Sequence, residues 1–238
     1  AFSSCESLTT ITLPASVTSI GWRAFSSCSS LTVITIPENS QLTSIGESVF
    51  SSCESLTAIT IPEVVTSIGD HAFYYCESLT TITIPENSQL TSIGESAFYY
   101  CWNLTDITIP ESVTSIGDYA FLDCCSLTAI TIPENSQLTS IGEYAFYECN
   151  SLTAITLPKS VDYIGSNAFA YCPELTDVYC YAESVPSAGT NTFDGSYPEN
   201  VTLHVPARAL ETYKTTSPWS SFGTIVSLTE EETGIKNS

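Results

Sequence analysis

The sequence predicts an α/β solenoid, mostly of β structure, in which about eight similar coils are stacked and followed by a C-terminal cap. Two observations predict it: a short motif recurs at a nearly constant period, and the same apolar pattern fills every period. The motif is A-F-x-x-C, and its phenylalanines alternate between spacings of 23 and 25 residues, at positions 2, 25, 50, 73, 98, 121, 146 and 169. Such a period is typical of solenoids.

Residues 56–76 contain the elements predicted for one coil, in chain order. In L-T-x-I-T-I-P the isoleucines alternate with threonine, as in a strand with one buried face, and Pro62 ends the strand because it has no N–H to donate. Residues 65–68, V-T-S-I, form a second, shorter extended segment. We expect Gly69 to allow a sharp turn. Residues 70–76 should then form one helical or 3₁₀ turn.

Apolar residues of each coil require a neighbour on both sides. In this coil about eight face inward: Leu56, Ile59, Ile61, Val65, Ile68, Ala72, Phe73 and Cys76. One coil alone cannot hide both of its flat faces, but stacked coils can. The longer units carry P-E-N-S-Q-L-T-S-I-G, as at 37–46, and the shorter ones P-E-S-V-T-S-I-G, as at 110–117. The two extra residues therefore lie in a surface loop.

The full consensus, L-T-x-I-T-I-P-x-x-V-T-S-I-G-x-x-A-F-x-x-C-x-x, resembles the BspA-like leucine-rich-repeat family from residue 1 to about 176. L-H-V-P at 203–206 and P-W-S-S-F at 218–222 resemble the closing module of such proteins. The resemblance implies a right-handed solenoid with a parallel sheet, on the surface of gut or oral bacteria or protozoan parasites. It implies attachment to host matrix or plasma proteins or to other microbes, but no individual binding residues.

The repeat pattern weakens after Cys172. T-F-D-G at 192–195 is a diverged copy of the motif, and residues 207–214 predict a short helix after Pro206. We therefore divide the chain into a repeat array (1–180), a diverged last repeat with a C-terminal cap (181–228), and a flexible tail or linker (229–238). The sequence begins inside a repeat, so we expect a fragment with more repeats or a cap upstream.

The composition argues against several functions. With 5 basic and 26 acidic residues the net charge is −21, which should repel nucleic acid and anionic membranes. No apolar run approaches the ~18 residues of a membrane helix. G-x-S-x-G, H-E-x-x-H and the phosphate- and dinucleotide-binding glycine motifs are absent. We expect a monomer that is not an enzyme and has no cofactor or metal.

One cysteine in each coil should belong to a column of free, buried thiols. Equivalent residues of stacked coils lie ~4.8 Å apart with parallel Cβ directions, whereas disulfide Cβ atoms converge to roughly 3.5–4.5 Å. The column is Cys5, Cys28, Cys53, Cys76, Cys101, Cys124, Cys149 and Cys172. Cys125 and Cys180 lie outside it, and a Cys172–Cys180 bridge is an alternative. Zinc is not expected, because no C-x-x-C or Cys/His cluster occurs.

Threonines and acidic residues also recur in columns. The threonines that should cover the sheet, on its expected concave face, include Thr57, Thr60, Thr80, Thr83, Thr105 and Thr108. They fit a soluble sheet surface, a polar recognition surface or, less naturally, an ice-binding lattice. The acidic columns are Glu38, Glu63, Glu86, Glu111 and Glu134, and Glu47, Asp70, Glu95, Asp118 and Glu143. They fit a solvated rim better than a calcium site, because no D-x-D-x-D-G loop occurs. They also fit a rim better than a glycosidase pair, because columns repeated nearly identically in each coil single out no one pair of acids.

Aromatic residues cluster beside the A-F-x-x-C motif of the middle and later coils. They are Tyr74, Tyr75, Tyr99, Tyr100, Trp102, Tyr119, Tyr144, Tyr147 and Tyr171. The early coils carry serine next to the motif, as in S-S at 26–27. Tyrosine and tryptophan are favoured in interfaces, so these residues indicate either a contact site or simple surface packing. A site for protein and a site for sugar cannot be distinguished at this point.

The leading hypothesis is a non-enzymatic adhesion or recognition module, secreted or on the cell surface, because a rigid preformed surface loses little entropy on binding. Its partners would be extracellular proteins of a host or of another microbe. One alternative is a passive spacer that presents another domain. A glycan-binding module is another alternative.

Overall fold

The computed structural model describes residues 2–229 and Glu232. Its main element is a ten-stranded sheet in which all paired strands are parallel. The strands are Thr10–Thr12, Val33–Thr35, Ala58–Thr60, Thr81–Thr83, Asp106–Thr108, Ala129–Thr131, Ala154–Leu157, Asp177–Cys180, Thr202–Val205 and Thr224–Ser227. Each pairs in register with the strand one coil away, as Ile59 with Ile82. The predicted solenoid and its parallel sheet are confirmed.

A second parallel sheet of seven short strands is formed by the V-T-S-I segments and their variants. The strands are Ser44–Ile45, Ser67–Ile68, Ser92–Ile93, Ser115–Ile116, Ser140–Ile141, Tyr163–Ile164 and Ser187–Ala188. In most of them a partly exposed serine precedes a buried isoleucine. One coil thus contributes a strand to each sheet, and the apolar side chains fill the space inside.

The A-F-x-x-C segments are not helical, so the predicted helical or 3₁₀ turn is wrong. In the coil at 70–76, His71 and Tyr75 have left-handed backbones, with φ of 56° and 57°. The N–H of Phe73 donates to Ala97 of the next coil at 2.8 Å, whereas the N–H of Tyr74 donates back to His71 at 3.2 Å. This alternation gives half of the N–H groups to the neighbouring coil. A regular helix would have kept all of them within its own coil.

A column of phenylalanine rings runs through the core. Neighbouring ring centroids lie between 5.0 and 5.7 Å apart, with interplanar angles of at most 20°. The column extends from Phe2 to Phe193, so the diverged T-F-D-G segment keeps its place in the stack. Each ring is covered by its neighbours, and the rings from Phe50 to Phe169 have no exposed surface. The whole array therefore shares one continuous core.

The glycine that follows each short strand is needed for a different reason from the one predicted. The predicted turn does begin at Gly69, whose carbonyl accepts a hydrogen bond from the Ala72 N–H at 3.2 Å, but Gly69 does not have the positive φ that favours glycine. A Cβ atom there would lie 2.9 Å from the backbone nitrogen of Glu47 in the preceding coil. At Gly117 the corresponding distance to the carbonyl carbon of Gly94 is 2.6 Å. Glycine is needed because the backbones of adjacent coils approach closely.

Aromatic residues close the C-terminal end of the stack. The predicted helix over 207–214 is found at Leu210–Thr215, and 3₁₀ turns occur at Pro198–Asn200 and Trp219–Ser221. Trp219 is fully buried and donates from Nε1 to the Pro186 carbonyl at 3.0 Å. Its ring contacts Phe193, the last ring of the phenylalanine column, with centroids 5.7 Å apart. These contacts give the predicted cap its physical role of covering the last coil.

The sheet continues through the boundary proposed at residue 180, since Asp177–Cys180 pairs with Thr202–Val205. The division into array and cap stays a prediction. The predicted tail, 229–238, lies outside the described residues except for Thr229 and Glu232. Within the described part of the chain, no helix has the length and apolar character needed to span a bilayer.

Candidate recognition surface on the turn edge

The predicted aromatic residues all lie on the edge of the solenoid formed by the stacked A-F-x-x-C turns, which we call the turn edge. Ring contacts divide them into two groups. The first cluster contains Tyr74, Tyr75, Tyr99, Tyr100 and Trp102. The second cluster contains Tyr119, Tyr144, Tyr147 and Tyr171. The turn edge thus brings the predicted residues together as two neighbouring patches.

The first cluster is built from two pairs of rings stacked from one coil to the next. Tyr74 and Tyr99 have centroids 4.9 Å apart and an interplanar angle of 16°. Tyr75 and Tyr100 are 4.7 Å apart at 4°, and Trp102 extends the group from Tyr100 at 5.6 Å. The tyrosines are half-buried, while Trp102 is 43% exposed. Because paired rings cover each other's faces, much of what they offer to a partner is ring edges and hydroxyl groups.

The second cluster has a looser arrangement. Tyr119 and Tyr144 stack at 5.1 Å and 8°, but Tyr147 meets Tyr144 at 55° and Tyr171 edge-on at 61°. Tyr171 is 46% exposed. His71 was not predicted for this surface, but its ring lies 5.3 Å from that of Tyr74 in the first cluster. The sequence position could have indicated this, because His71 stands two residues before the motif phenylalanine, as Tyr119 and Tyr144 do.

Two carboxylates separate the clusters. Asp123 and Glu148 occupy the position held by Tyr75 and Tyr100 in the preceding coils, and the N–H of Asp123 donates to the Tyr147 carbonyl at 2.9 Å. Hydrogen bonding to Asp123 and the charge of that carboxylate raise the pKa of Tyr100 to about 12. Burial, followed by the charge of Asp123, raises the pKa of Glu148. The two acids therefore interact with each other and with the rings around them.

The fold does not require tyrosine at these positions. Tyr75, Tyr100 and Tyr171 have left-handed backbones, with φ between 57° and 59°. Ser27 and Ser52, at the matching positions of early coils, have φ of 60° and 58°. A non-glycine residue in this conformation costs roughly 1–2 kcal/mol, whichever of the two side chains it carries. The backbone thus accepts serine and tyrosine alike, and the aromatic residues add surface that the stacking of the backbone does not need.

The structure separates the predicted threonines into two kinds. Thr57, Thr80 and Thr105 precede the strands, and each hydroxyl donates to a threonine carbonyl one coil before, as Thr80 does to Thr57 at 3.0 Å. Thr60, Thr83 and Thr108 lie on the strands and are exposed. The first kind stabilises the stack, and only the second kind offers unused side chains on the sheet face. A second column of threonines is hydrogen-bonded in the same way and was not predicted. In it Thr66, Thr91, Thr114 and Thr139 each donate to a threonine carbonyl one coil before.

All ten cysteines lie among the described residues and are free thiols. In the column each thiol from Cys28 onward donates to a phenylalanine carbonyl, as Cys76 does to Phe50 at 3.1 Å. The alternative Cys172–Cys180 bridge is not formed, because Cys180 Sγ lies 3.1 Å from the Tyr213 hydroxyl. Burial raises the pKa of Cys53 and Cys172 to about 12, so these thiols are poor nucleophiles.

The acidic column that follows the glycines is exposed, and its aspartates also link coils. Asp70 Oδ1 accepts a hydrogen bond from the N–H of Glu95 at 2.9 Å, and Asp118 accepts one from Glu143 at 2.7 Å. Nowhere in residues 2–229 or at Glu232 do three His, Cys, Asp or Glu side chains gather closely enough to hold a metal ion. The aspartates thus contribute to stacking.

A non-repeating polar group that the sequence analysis missed lies at the end of the main sheet. His204 Nε2 lies 2.9 Å from Asp177 Oδ1, and its ring stacks on Tyr179 at 4.3 Å. Nδ1 lies 3.3 Å from Glu232 Oε1 without the alignment of a hydrogen bond. A cavity of about 680 Å³ beside the cap is lined by other charged residues, including Lys159 and Arg208, and not by His204.

Comparison with known families agrees with this geometry. The model of the BspA type leucine rich repeat region matches six copies, over residues 1–124 and 91–213. The chain belongs to the BspA-type leucine-rich-repeat family. Solenoids of this family are typically non-catalytic, and membership of the family supports a role as a repeat-based protein-interaction module. A comparison with curated proteins gave no match.

Solved structures of other leucine-rich-repeat proteins resemble this BspA-type chain. One, from Bacteroides ovatus, is 27% identical with a TM-score of 0.66, over 96% of this chain and 63% of that chain. Another, from T. pallidum, is 33% identical with a TM-score of 0.56, over 62% of this chain and 68% of that chain. The chain therefore spans less than two thirds of the length of the Bacteroides protein.

Proposed function

We propose that this BspA-type chain is a non-enzymatic adhesion module, secreted or displayed on the cell surface, that binds extracellular proteins through the turn edge. The surface location is what the family resemblance implies. The observation that carries the proposal is the replacement of serine by tyrosine on coils whose backbone is the same. Such a replacement has no use in stacking the backbone, but it adds amphipathic area of the kind that interfaces favour.

The rigidity of the array supports this role. The first cluster is attached to turns that hydrogen-bond from coil to coil, as in the 2.9 Å bond from the Tyr75 N–H to the Tyr99 carbonyl. Stacking of Tyr75 on Tyr100 further limits the rotation of both rings. A partner would therefore meet side chains that are already ordered, and little conformational entropy would be lost on binding.

The same geometry favours a protein partner over a sugar. Carbohydrate stacking uses broad free aromatic faces, whereas the parallel stacking of Tyr75 and Tyr100 within 4° covers one face of each ring. The edges and hydroxyls that remain suit the polar and apolar groups of a protein surface. A passive spacer, for its part, would have no use for aromatic residues on selected coils.

The test is a triple variant, Tyr99→Ser with Tyr100→Ser and Trp102→Ser, which gives the first cluster the side chains of the early coils. Binding to a panel of purified plasma and extracellular-matrix proteins is measured by biolayer interferometry. We expect the affinity for the panel protein that the parent chain binds to fall about 10-fold or more, as for loss of an interface hot spot.

The matched control is Thr83→Ser with Thr108→Ser and Thr131→Ser, on the exposed face of the main sheet. It should retain capture. Loss of capture in this control instead of the aromatic variant would move the site to the sheet face. Unchanged capture in the aromatic variant, with a melting temperature that shows it folded, would contradict the proposal.

A further inference from the structure

The partner's chemistry can be inferred from the two carboxylates between the aromatic clusters, and this inference rests on the proposed function. Along the position two residues after the motif phenylalanine, consecutive coils carry Tyr75, Tyr100, Asp123, Glu148 and Tyr171. Two acids thus interrupt a column of tyrosines. They are half-buried and lie on adjacent coils, where their like charges repel.

Nothing in the described part of the chain neutralises this pair. Its lysines and arginines are Arg23, Lys159, Arg208 and Lys214. Arg23 lies over the Trp22 ring, Arg208 and Lys214 pair with glutamates near the cap, and Lys159 lines the cavity beside it. Among residues 2–229 and Glu232, no ion pair includes Asp123 or Glu148. The acids therefore keep an uncompensated charge at the centre of the proposed surface.

We propose that the turn edge binds a protein segment that presents an arginine side chain, with the guanidinium group seated at Asp123 and Glu148 between the two aromatic clusters. A guanidinium is planar and has five N–H donors, so it can bond to carboxylates on adjacent coils while its flat face lies against a tyrosine ring. Lysine provides a point charge without that flat face. The net charge of −21 adds a long-range attraction for such a segment.

The flanking rings complete the complementarity. Tyr100 stands one coil before Asp123 in this column, and Tyr147 directly precedes Glu148 in the chain. Both tyrosines are half-buried. An arginine between them would exchange a repulsive pair of carboxylates for charge-assisted hydrogen bonds, the stronger class of such bonds.

The probe is a synthetic peptide, acetyl-Gly-Gly-Arg-Gly-Gly-amide, compared with the same peptide carrying citrulline, which keeps the shape of arginine but lacks its charge. Binding is followed by NMR chemical shifts of the backbone amides of the intact chain. We expect the arginine peptide to shift the amides of residues 100, 102, 123 and 148, and the citrulline peptide to bind about 10-fold more weakly.

Two variants of equal charge separate a built site from general attraction. Asp123→Asn with Glu148→Gln should weaken arginine binding about 10-fold, whereas Glu63→Gln with Glu86→Gln, in the exposed column after the prolines, should change it less than about 2-fold. Equal losses in both variants, or equal binding of the two peptides, would overturn the inference.

The capture assay distinguishes this inference from the proposed function. If the aromatic variant loses capture of the extracellular protein while Asp123→Asn with Glu148→Gln retains it, the turn edge is a binding surface and only the arginine inference fails. If the aromatic variant retains capture, the proposed function fails whatever the peptides do.

Discussion

Replacing Gly117 with alanine should destabilise the protein, whereas the same replacement at Gly46 should not. A Cβ atom at Gly117 would lie 2.6 Å from the carbonyl carbon of Gly94, 2.7 Å from the nitrogen of Glu95 and 2.8 Å from the oxygen of Gly94. These are backbone atoms of the preceding coil, so no side chain can rotate out of the way. At Gly46 the nearest atom, the carbonyl oxygen of Ile20, is 3.5 Å away, an ordinary contact.

The magnitude follows from the movement that the methyl group would force. Normal contacts between heavy atoms begin near ~3.5 Å, so the two coils must separate locally by about 1 Å. Overpacking of this kind costs about 1–3 kcal/mol. The movement also weakens the 2.9 Å hydrogen bond from Gly117 to Ile93, worth about 1 kcal/mol. In the other direction, alanine stabilises the folded protein by about 0.4–1 kcal/mol, because it restricts the unfolded chain more than glycine does. The net loss of stability is therefore about 2 kcal/mol at Gly117, within a range of about 1–3.5 kcal/mol, and at Gly46 only the small gain of about 0.4–1 kcal/mol remains.

The measurement is urea unfolding followed by circular dichroism, supported by melting temperatures. For a chain of 238 residues, 1 kcal/mol corresponds to about 2–4 °C. Gly117→Ala should therefore melt about 4–8 °C lower, and the melting temperature of Gly46→Ala should match or exceed that of the parent. Equal midpoints for the two variants would refute the argument that close approach of the coils selects glycine. Hydrogen exchange at residues 93–95 should show the loosening locally.

Two further predictions concern the repeated polar columns. Thr80→Val should lower the free energy of unfolding by about 0.5–1 kcal/mol, because the Thr80 hydroxyl donates to the Thr57 carbonyl at 3.0 Å. The control is Thr83→Val, since Thr83 lies exposed on the strand. Equal effects of the two variants on the urea midpoint would disprove the distinction between bonded and unused threonines. The melting temperature should fall between pH 9 and 12, because unfolded thiols ionise near pH 9 while burial raises the pKa of folded Cys53 to about 12. The stability that this thiol contributes is thus complete below pH 9 and lost as the pH passes 12. Cys53→Ser should therefore reduce the fall of the melting temperature with pH. An unchanged slope of melting temperature against pH would contradict this explanation.

Local pattern was sufficient for the architecture because every coil repeats it. The alternation in A-I-T-I at 58–61 defines a strand with one buried face, and its recurrence after 23 or 25 residues requires stacking. The same regularity predicted that the aromatic residues would share one edge. It could not predict that Tyr75 would lie parallel to Tyr100 within 4°, because ring orientation depends on the packing of both coils.

The backbone of the turns could not be read from residue types. In the described part of the chain, seventeen residues other than glycine have positive φ, and they include serine, tyrosine, glutamate and histidine. Propensity would place glycine or asparagine there. The left-handed conformation is instead required by hydrogen bonds to the next coil, such as that from His71 to Glu95 at 2.8 Å. Partners so distant in the sequence leave no local signal.

By itself the sequence determined the solenoid, the phenylalanine and thiol columns and the coils on which aromatic residues occur. Each of these depends on a pattern within one coil and on its period. Only the tertiary structure decided that Thr80 bonds while Thr83 is free, that glycine serves close approach, and that Asp123 and Glu148 form an uncompensated pair. These properties depend on distances of a few ångströms between adjacent coils, which backbone hydrogen bonds across the stack establish.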